Sequence, residues 1–351
     1  MRRTHLPVES LMVREAAEAA SVCAAQVIRN RERMREAGRR LRALDAPFAA
    51  TLARGSSDQA AGFAKVLLET RIGLPTLSHA PSVGALYHST SVKLNGVPMI
   101  AISQSGRSPD LLRAAEAAKA VGAILIVLIN DEKSPLAALA DILLPLNAGV
   151  EISVAATKSF IATLCALTHL TAEWSGDAQL RDVVDGIGPA LVEAGALDWS
   201  AAVPPLVGVQ SLLVLGRGLT LPIAGEAALK LKETSALHAE AFSSAEVAHG
   251  PMTLVGAGDP VFVFGPSDVA RERLRERIVA FAERGATVIA AGHAGDVDAA
   301  SIVLPTLPDA HPVIGAIAMI HSFYGLANAL SLARGRDPDR PPYLAKVTHT
   351  L

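Results

Sequence analysis

The chain has 351 residues, of which 50% are hydrophobic and 19% are charged, and its formal net charge is −2. This length predicts about two domains, and the near-neutral charge gives no general attraction to nucleic acid. Uninterrupted apolar runs stay below about 18 residues, so no membrane span is predicted. The opening MRRTHLPVES lacks the apolar segment of a secretory signal, and Cys23 and Cys165 have no metal or redox spacing, so a cytoplasmic location is expected.

Residues 1–44 are predicted to form an N-terminal helical segment. A basic run covers residues 29–42, but Glu32 and Glu36 interrupt it. A helix-turn-helix module needs three short helices, and only one or two helices fit before the first strand. A solvated helix is therefore favoured over a DNA-binding module, and no nucleic-acid partner is expected.

Apolar runs and helical patterns then alternate, as is typical of βαβ units with a parallel sheet. Residues 45–195 are assigned to a first domain and residues 196–335 to a second. In the first domain, strands are predicted at 46–53, 74–78, 97–103, 123–130 and 142–146, with helices ending at 71 and spanning 109–121 and 154–174. In the second domain, strands are predicted at 211–216, 260–265, 287–292 and 301–307, with helices at 267–283 and 314–333. Residues 53–70 resemble residues 216–234, which indicates two domains of one α/β fold.

A loop after the third predicted strand is rich in hydroxyl groups. Residues 100–110 read IAISQSGRSPD, and Pro109 suits the first position of a helix. Hydroxyls, a glycine and helix N–H groups at the carboxyl end of a strand favour an anion site over an ordinary serine-capped turn. The candidate phosphate-binding residues are Ser103, Gln104, Ser105 and Ser108.

Two further loops have a similar composition. Residues 54–58 read RGSSD and open a helix with Ser56 and Ser57, and residues 151–158 read EISVAATK and include Thr157. Each is weak evidence alone because Ser, Thr and Asp are common caps, but together the loops could surround one ligand. Neither a dinucleotide-binding GxGxxG nor a P-loop pattern is present.

The segment 225–253 concentrates acids, bases and imidazoles. Glu226, Lys230 and Glu233 share one face of a helix because they are three and four residues apart. A solvated ion pair is the plainer interpretation, whereas proton transfer on a sugar is the functional one. His249 lies in a Gly/Pro turn that closes the segment. A metal site using His238, Glu240 and His249 lacks a second ligand pair, so no metal is predicted.

The last segment, residues 336–351, ends in DRPPYLAKVTHTL. Arg340-Pro-Pro-Tyr is too rigid and specific for a fraying tail, and Lys346 lies just before the end. A tail that folds back could bring this lysine into a site.

With these motifs in view, both halves resemble SIS (sugar isomerase) domains. The whole chain resembles the isomerase half of glutamine–fructose-6-phosphate aminotransferase. The resemblance rests on SQSG (103–106), VAATKSF (154–160), GRG (216–218), EAALKLKETSALHAEAF (226–242), HGP (249–251) and YLAKVT (343–348). It implies two SIS domains, each a parallel five-stranded sheet in a three-layer α-β-α arrangement with flavodoxin-like strand order.

Several departures favour a different member of this family. Residue 2 is arginine where the aminotransferase has a catalytic cysteine, so no glutaminase domain is expected. RGSSD and SQSGRSPD are more similar to the stand-alone SIS-type glucosamine-6-phosphate deaminases, and Ala156 replaces a serine. The expected reaction therefore interconverts glucosamine 6-phosphate with fructose 6-phosphate and ammonia, mainly in the deaminating direction.

The resemblance also implies residue roles. Glu233 would carry a proton between C1 and C2, Lys230 would be the second acid/base group, and Glu226 would orient Lys230. His249 would open the sugar ring, reaching in from a neighbouring subunit, and Lys346 would contact the open-chain sugar. The resemblance extends the substrate-binding set beyond the phosphate loop to Ser56, Ser57, Val154, Ala156 and Thr157.

The expected partner is a sugar phosphate, and a homodimer is expected without any cofactor. Three alternatives stay open at this point. The chain could synthesise glucosamine 6-phosphate from free ammonia, or act as a deglycase on a ketosamine phosphate. The third alternative is a non-catalytic sugar-phosphate sensor.

Overall fold

Two parallel sheets organise the chain in the computed structural model, which describes residues 10–346. Residues 1–9, which belong to the predicted N-terminal segment and to the opening compared with a secretory signal, lie outside the described residues. Residues 347–351 of the predicted tail also lie outside them. The predicted domain boundaries themselves stay a prediction.

The first sheet has the strand order β2-β1-β3-β4-β5, with every neighbouring pair parallel. Strand β4 (Ile124–Ile129), which lies between β3 and β5, reads ILIVLI and is almost entirely buried, as expected for a strand covered by helices on both faces. The strands are β1 (Ala49–Leu52), β2 (Thr76–Ser78), β3 (Pro98–Ser103), β4 (Ile124–Ile129) and β5 (Ile142–Pro145).

The second sheet repeats this arrangement with the order β7-β6-β8-β9-β10, again all parallel. By chain order within each domain, both sheets read 2-1-3-4-5. The predicted fold class is therefore confirmed. The strands are β6 (Ser211–Gly216), β7 (His238–Ser243), β8 (Pro260–Phe264), β9 (Thr287–Ala291) and β10 (Ile302–Leu304).

Helices cover both sheets and fill the space between them. The helices are α1 (Leu11–Ala17), α2 (Ala19–Arg42), α3 (Ser56–Arg71), α4 (Pro81–Ala85), α5 (Pro109–Ala120), α6 (Pro135–Leu139), α7 (Lys158–Ser175), α8 (Ala178–Gly195), α9 (Val203–Leu206), α10 (Thr220–Ser235), α11 (Leu274–Ala282) and α12 (Pro312–Ala333). Short 3-10 helices include Glu246–His249, Pro251–Leu254 and Val269–Arg271.

One apolar core joins the two domains. It includes Phe63 on α3, Leu164 on α7, Leu231 on α10 and Phe323 on α12, and it contacts the inner face of each sheet. The outer face of each sheet has its own smaller core. Helix α3 of the first domain packs directly on helix α10 of the second domain. The start of α3 therefore lies beside the middle of α10.

Several predicted elements differ in their bounds from the structure, and three of these differences have identifiable reasons. The helix predicted from residue 154 begins at Lys158, because the Glu151 carboxylate accepts the backbone N–H groups of Thr157 and Ser159 and holds the preceding loop open. The helix predicted at 267–283 starts only at Leu274, because Arg273 adopts a left-handed φ of 63° that a helix cannot pass through. The strand predicted at 301–307 is shorter because prolines follow it.

One strand escaped the sequence analysis. Residues 238–243 form β7 at the edge of the second sheet, although they were grouped with the preceding charged segment. Helix α10 ends at Ser235, and the left-handed φ of 45° at the following residue, Ala236, turns the chain back along β6. Nothing in the local pattern HAEAFS distinguishes a strand from a helix end.

Helix α12 has the length and composition of a membrane-crossing helix, alone among the described helices. Of its most apolar stretch, 72% is buried inside the protein, where α12 packs on α8 and α10. Burial of this kind is typical of a core helix. The cytoplasmic location stays a prediction.

The contact between α2 and α7 predicts a stability difference between two glycine variants. A Cβ at Gly38 would lie 2.5 Å from the Glu173 backbone, whereas nothing lies within 4 Å of a Cβ at Gly325 on α12. We expect Gly38→Ala to destabilise by about 1–3 kcal/mol through overpacking. The matched Gly325→Ala should stabilise by up to about 1 kcal/mol, because alanine favours a helix. Urea unfolding of both variants measures this difference, and equal effects would contradict the packing described here.

Candidate active site

A buried cluster of charged groups joins the two domains where α3 meets α10. Glu226, Lys230 and Glu233 lie on one face of α10, as their spacing predicts. The Lys230 Nζ lies 3.5 Å from Glu226 Oε1 and donates a hydrogen bond to the Glu233 carboxylate. Ser56, in the first turn of α3, donates to Glu226 Oε1 at 3.2 Å and accepts from Lys230 Nζ at 3.2 Å. The cluster therefore contains groups from both domains.

The side chains of this cluster differ in how deeply they are buried. The side chains of Glu226 and Lys230 are 0% and 1% exposed, whereas that of Glu233 is 21% exposed. The hydroxyl of the fully buried Tyr324 on α12 donates to Glu226 Oε1 at 3.3 Å. These exposures do not fit a solvated ion pair on a helix surface, and Glu233 is the acid that a substrate can reach.

The pKa values of the two buried groups move in ways that suit proton transfer. Burial raises the pKa of Glu226 to about 7, and the charge of Glu233 adds to this rise while Lys230 opposes it. Burial alone would lower the pKa of Lys230, but the charges of Glu226 and Glu233 outweigh it and raise that pKa overall. Lys230 therefore stays protonated at neutral pH, where it can donate hydrogen bonds.

The C-terminal lysine reaches a second buried carboxylate. Lys346 Nζ lies 2.7 Å from Glu151 Oε2 and 2.7 Å from the Ser153 carbonyl oxygen. Burial would raise the pKa of Glu151, but Lys346 and the hydrogen bonds from Ser159 lower it overall. The charge of Glu151 also raises the pKa of Lys230, so the two clusters lie within electrostatic reach of each other.

The sequence analysis did not select Glu151 or Ser153 as site residues. The one available signal was their place in the loop EISVAATK beside Thr157. Their importance depends on Lys346, which is 195 positions away from Glu151 along the chain. Local spacing could not reveal that contact.

Three buried polar atoms around this region have no hydrogen-bond partner within residues 10–346. They are Ser153 Oγ, Thr157 Oγ1 and Glu226 Oε2. A buried polar atom without a partner costs about 1–3 kcal/mol, so such atoms are uncommon in folded proteins. All three belong to residues that are 0% exposed, so they add a free-energy cost to this region and do not form part of its accessible surface.

The predicted phosphate loop begins at the carboxyl end of β3. The Ser103 hydroxyl accepts the Gly106 N–H at 2.9 Å and shapes the turn. Gly106 has a φ of 62°, and a Cβ there would lie 2.3 Å from Ser134 Oγ, so the turn requires glycine. Ser108 is the N-cap of α5, but its side chain makes no capping hydrogen bond. With the half-buried Gln104 and Ser105 it could instead contact an anion.

The remaining predicted site residues have different surroundings. Ser57 lies in the first turn of α3, and Val154 and Ala156 are half-buried in the loop that precedes α7. His249 is exposed at the end of a 3-10 helix and lines a separate cleft, which none of the other predicted site residues lines. Its contribution across a subunit interface, like the homodimer itself, stays a prediction.

The geometry described so far defines a two-domain α/β protein with a buried cluster of charged groups at the domain junction and a hydroxyl-rich loop after β3. The chain belongs to the SIS domain family, whose model matches residues 46–172 and 206–302. The resemblance proposed from the motifs is therefore confirmed at the family level.

Individual relatives agree with this assignment. The chain is 36% identical over 261 residues to a glutamine–fructose-6-phosphate aminotransferase [isomerizing] of Thermococcus kodakarensis, covering 71% of this chain and 43% of the relative. A Silicibacter pomeroyi structure described as a phosphosugar isomerase candidate superposes with a TM-score of 0.89 and 37% identity, covering 94% of this chain and all of that one. The chain spans about half the length of the curated relatives it matches.

A third similarity concerns the fold alone. The glucosamine-6-phosphate deaminase of Thermotoga maritima has a TM-score of 0.77 at 22% identity and covers 97% of this chain and 100% of that chain. The family match and the first two similarities place this chain among proteins of the sugar isomerase type.

The raised pKa of Glu226 predicts a pH-dependent stability. The folded chain holds this proton up to about pH 7, whereas the unfolded chain releases it near the ordinary value of 4.5. The contribution is therefore greatest below pH 4.5 and is lost as the pH rises through about 7. Over this window, wild-type protein should lose a few kcal/mol of unfolding free energy relative to Glu226→Gln.

Urea unfolding at pH values between 4.5 and 8 measures this difference. Exposed Glu240→Gln is the control, and its stability should run parallel to wild type across the same window. Parallel curves for wild type and Glu226→Gln would show that Glu226 does not titrate as described.

Proposed function

We propose that this enzyme converts glucosamine 6-phosphate and water into fructose 6-phosphate and ammonia. The observation that carries the proposal is the buried Ser56–Glu226–Lys230–Glu233 cluster at the domain junction. An aldose–ketose interconversion needs a base that can reach carbon-bound protons and a fixed acid next to it. Similarity of the loops RGSSD and SQSGRSPD to stand-alone deaminases supports the deaminating direction.

Binding would begin at the phosphate group. The hydroxyls of Ser105 and Ser108, with Ser103 and Gln104, offer neutral donors at the N-terminus of α5. The sugar would then extend toward the loop that carries Val154, Ala156 and Thr157. Val154 and Ala156 are only half-buried in this loop, which supports this direction of extension.

Proton transfer would take place at Glu233. After His249 opens the ring, Glu233 would move the proton from C2 to C1. The C1 oxygen gains a proton and the C2 nitrogen loses one, which converts the aldehyde into an alcohol and the C2 amine into an imine. The Lys230 ammonium would donate a hydrogen bond to the C1 oxygen, where negative charge develops. Water would then add to C2, and ammonia would leave to give the ketose.

Glu226 would act by positioning rather than by contact with the substrate, whereas Lys346 would contact it. Glu226 is fully buried against Lys230 and Tyr324, so it would hold the Lys230 ammonium in place. Lys346 would contact the open-chain sugar, and its pairing with Glu151 supports a folded-back tail. A non-catalytic sensor would not need this buried acid/base set.

The direct test of the proton-transfer role is Glu233→Gln. We expect kcat to fall by about 10²–10⁴-fold with KM little changed, because general base catalysis contributes on this scale. The assay incubates enzyme with glucosamine 6-phosphate and measures both ammonia and fructose 6-phosphate. Exposed Glu240→Gln should keep wild-type activity.

Other outcomes would lead to other functions. Wild-type turnover of fructosamine 6-phosphate without turnover of glucosamine 6-phosphate would indicate a deglycase. Net formation of glucosamine 6-phosphate from fructose 6-phosphate and ammonia, without the reverse, would indicate a synthase. Binding without any turnover would indicate a sensor.

Mixing two inactive variants tests the role of His249. If His249 acts in the site of a neighbouring copy, Glu233→Gln and His249→Ala should each be inactive alone. A mixed dimer would then contain one intact site, so random subunit exchange should restore roughly a quarter of wild-type activity. Failure to recover activity, with exchange verified by differently tagged chains, would show that His249 does not act across an interface.

A further inference from the structure

A cleft on the second domain is lined mainly by basic side chains. It has a volume of about 380 Å³ and lies where β6 and β7 end, because Arg217 follows β6 directly and Ser244 follows β7. Open α/β sheets bind ligands outside the carboxyl ends of their strands. We call this the arginine cleft, and its polar lining residues are Arg217, Ser244, His249, Glu272, Arg273 and Arg277.

The three arginines of this cleft make no ion pair with a carboxylate in the part of the chain that the structure describes. Arg217 Nη1 and Arg277 Nε donate to backbone carbonyl oxygens of Glu272 and Ser244, at 3.4 and 3.1 Å. By contrast, Arg275 on the same segment forms an ion pair with Asp298 at 3.2 Å. Among the lining residues Glu272 alone carries a carboxylate, so the cleft has a positive excess.

The arginine cleft corresponds by topology to the anion loop of the first domain. The shared strand order makes β8 and α11 equivalent to β3 and α5. In the first domain Arg54, which follows β1, pairs with Asp110 at the second position of α5. In the second domain Arg217, which follows β6, meets the start of α11, where the second helical position is Arg275. Asp110, which pairs with Arg54 in the first domain, is thus replaced by Arg275 at the equivalent position of the second domain.

We propose that the arginine cleft binds a phosphate monoester anion, and that this binding site is separate from the phosphate loop of the same chain. Guanidinium groups recognise phosphate through paired hydrogen bonds, and Arg217 and Arg277 have N–H groups left after their backbone contacts. The volume of the cleft is in the range of small-molecule sites. The cleft shares His249 with the proposed ring-opening step, but its three arginines have no part in the proposed catalytic chemistry.

The experiment titrates the full chain with inorganic phosphate by calorimetry at low ionic strength. Wild type should bind two phosphates per chain. Arg217→Gln/Arg277→Gln should keep the first and weaken the second by about tenfold or more. Ser105→Ala/Ser108→Ala should lose the loop phosphate and keep the cleft phosphate. Arg275→Gln, which removes the same charge outside the cleft, should bind both as wild type does.

The exposed single variant Arg273→Gln keeps the test usable if the double variant does not fold, and it should weaken the cleft phosphate several-fold. A single phosphate per chain that both double variants remove would overturn the proposal, because the arginines would then belong to the substrate site of a neighbouring copy. Equal weakening by Arg275→Gln would also overturn it, since the effect would be one of net charge. Unchanged phosphate binding by the variants of the cleft arginines, together with an altered sedimentation profile, would also overturn the proposal. The cleft would then be a subunit interface.

Discussion

The buried ammonium of Lys230 is the constraint on which the rest of the molecule depends. A charge that is 1% exposed destabilises a protein strongly unless it is paired and hydrogen-bonded. Glu226 and Glu233 supply the opposite charge from the same helix, and Ser56 supplies a hydroxyl from the other domain. The two domains must therefore pack with the start of α3 against α10, and this contact lies within their shared core.

The burial of Lys230 also distinguishes the roles of the Glu226 and Glu233 carboxylates. Both lie beside one ammonium, but Glu226 is completely buried and also accepts from Tyr324, whereas Glu233 is partly exposed. A group that moves protons on carbon must contact the substrate, and Glu233 alone of the two is accessible. Glu226 fixes the Lys230 ammonium instead, and its raised pKa reflects the free energy that its burial costs.

The sequence predicted those features that depend on local spacing and failed for those that depend on distant contacts. The face shared by Glu226, Lys230 and Glu233 follows from helical geometry, and the buried strand β4 follows from its apolar run. Glu151 was missed because its partner Lys346 comes from the far end of the chain. The late start of α7 has the same origin, since the carboxylate of Glu151 holds the loop before it.

The two domains share a strand order but differ in how they present positive charge. Beside the phosphate loop, Arg54 and Arg107 are each held by an acid, Asp110 and Asp131 respectively. Phosphate binding at the proposed loop site would therefore rely on hydroxyls and backbone N–H groups, whose contacts are screened by salt less than those of free charges. Lys230 would then remain the cation of the proposed active site that responds to charge on the sugar. In the second domain, none of Arg217, Arg273 and Arg277 pairs with a carboxylate within residues 10–346, so the arginine cleft at its strand ends has the net positive charge that the loop after β3 lacks.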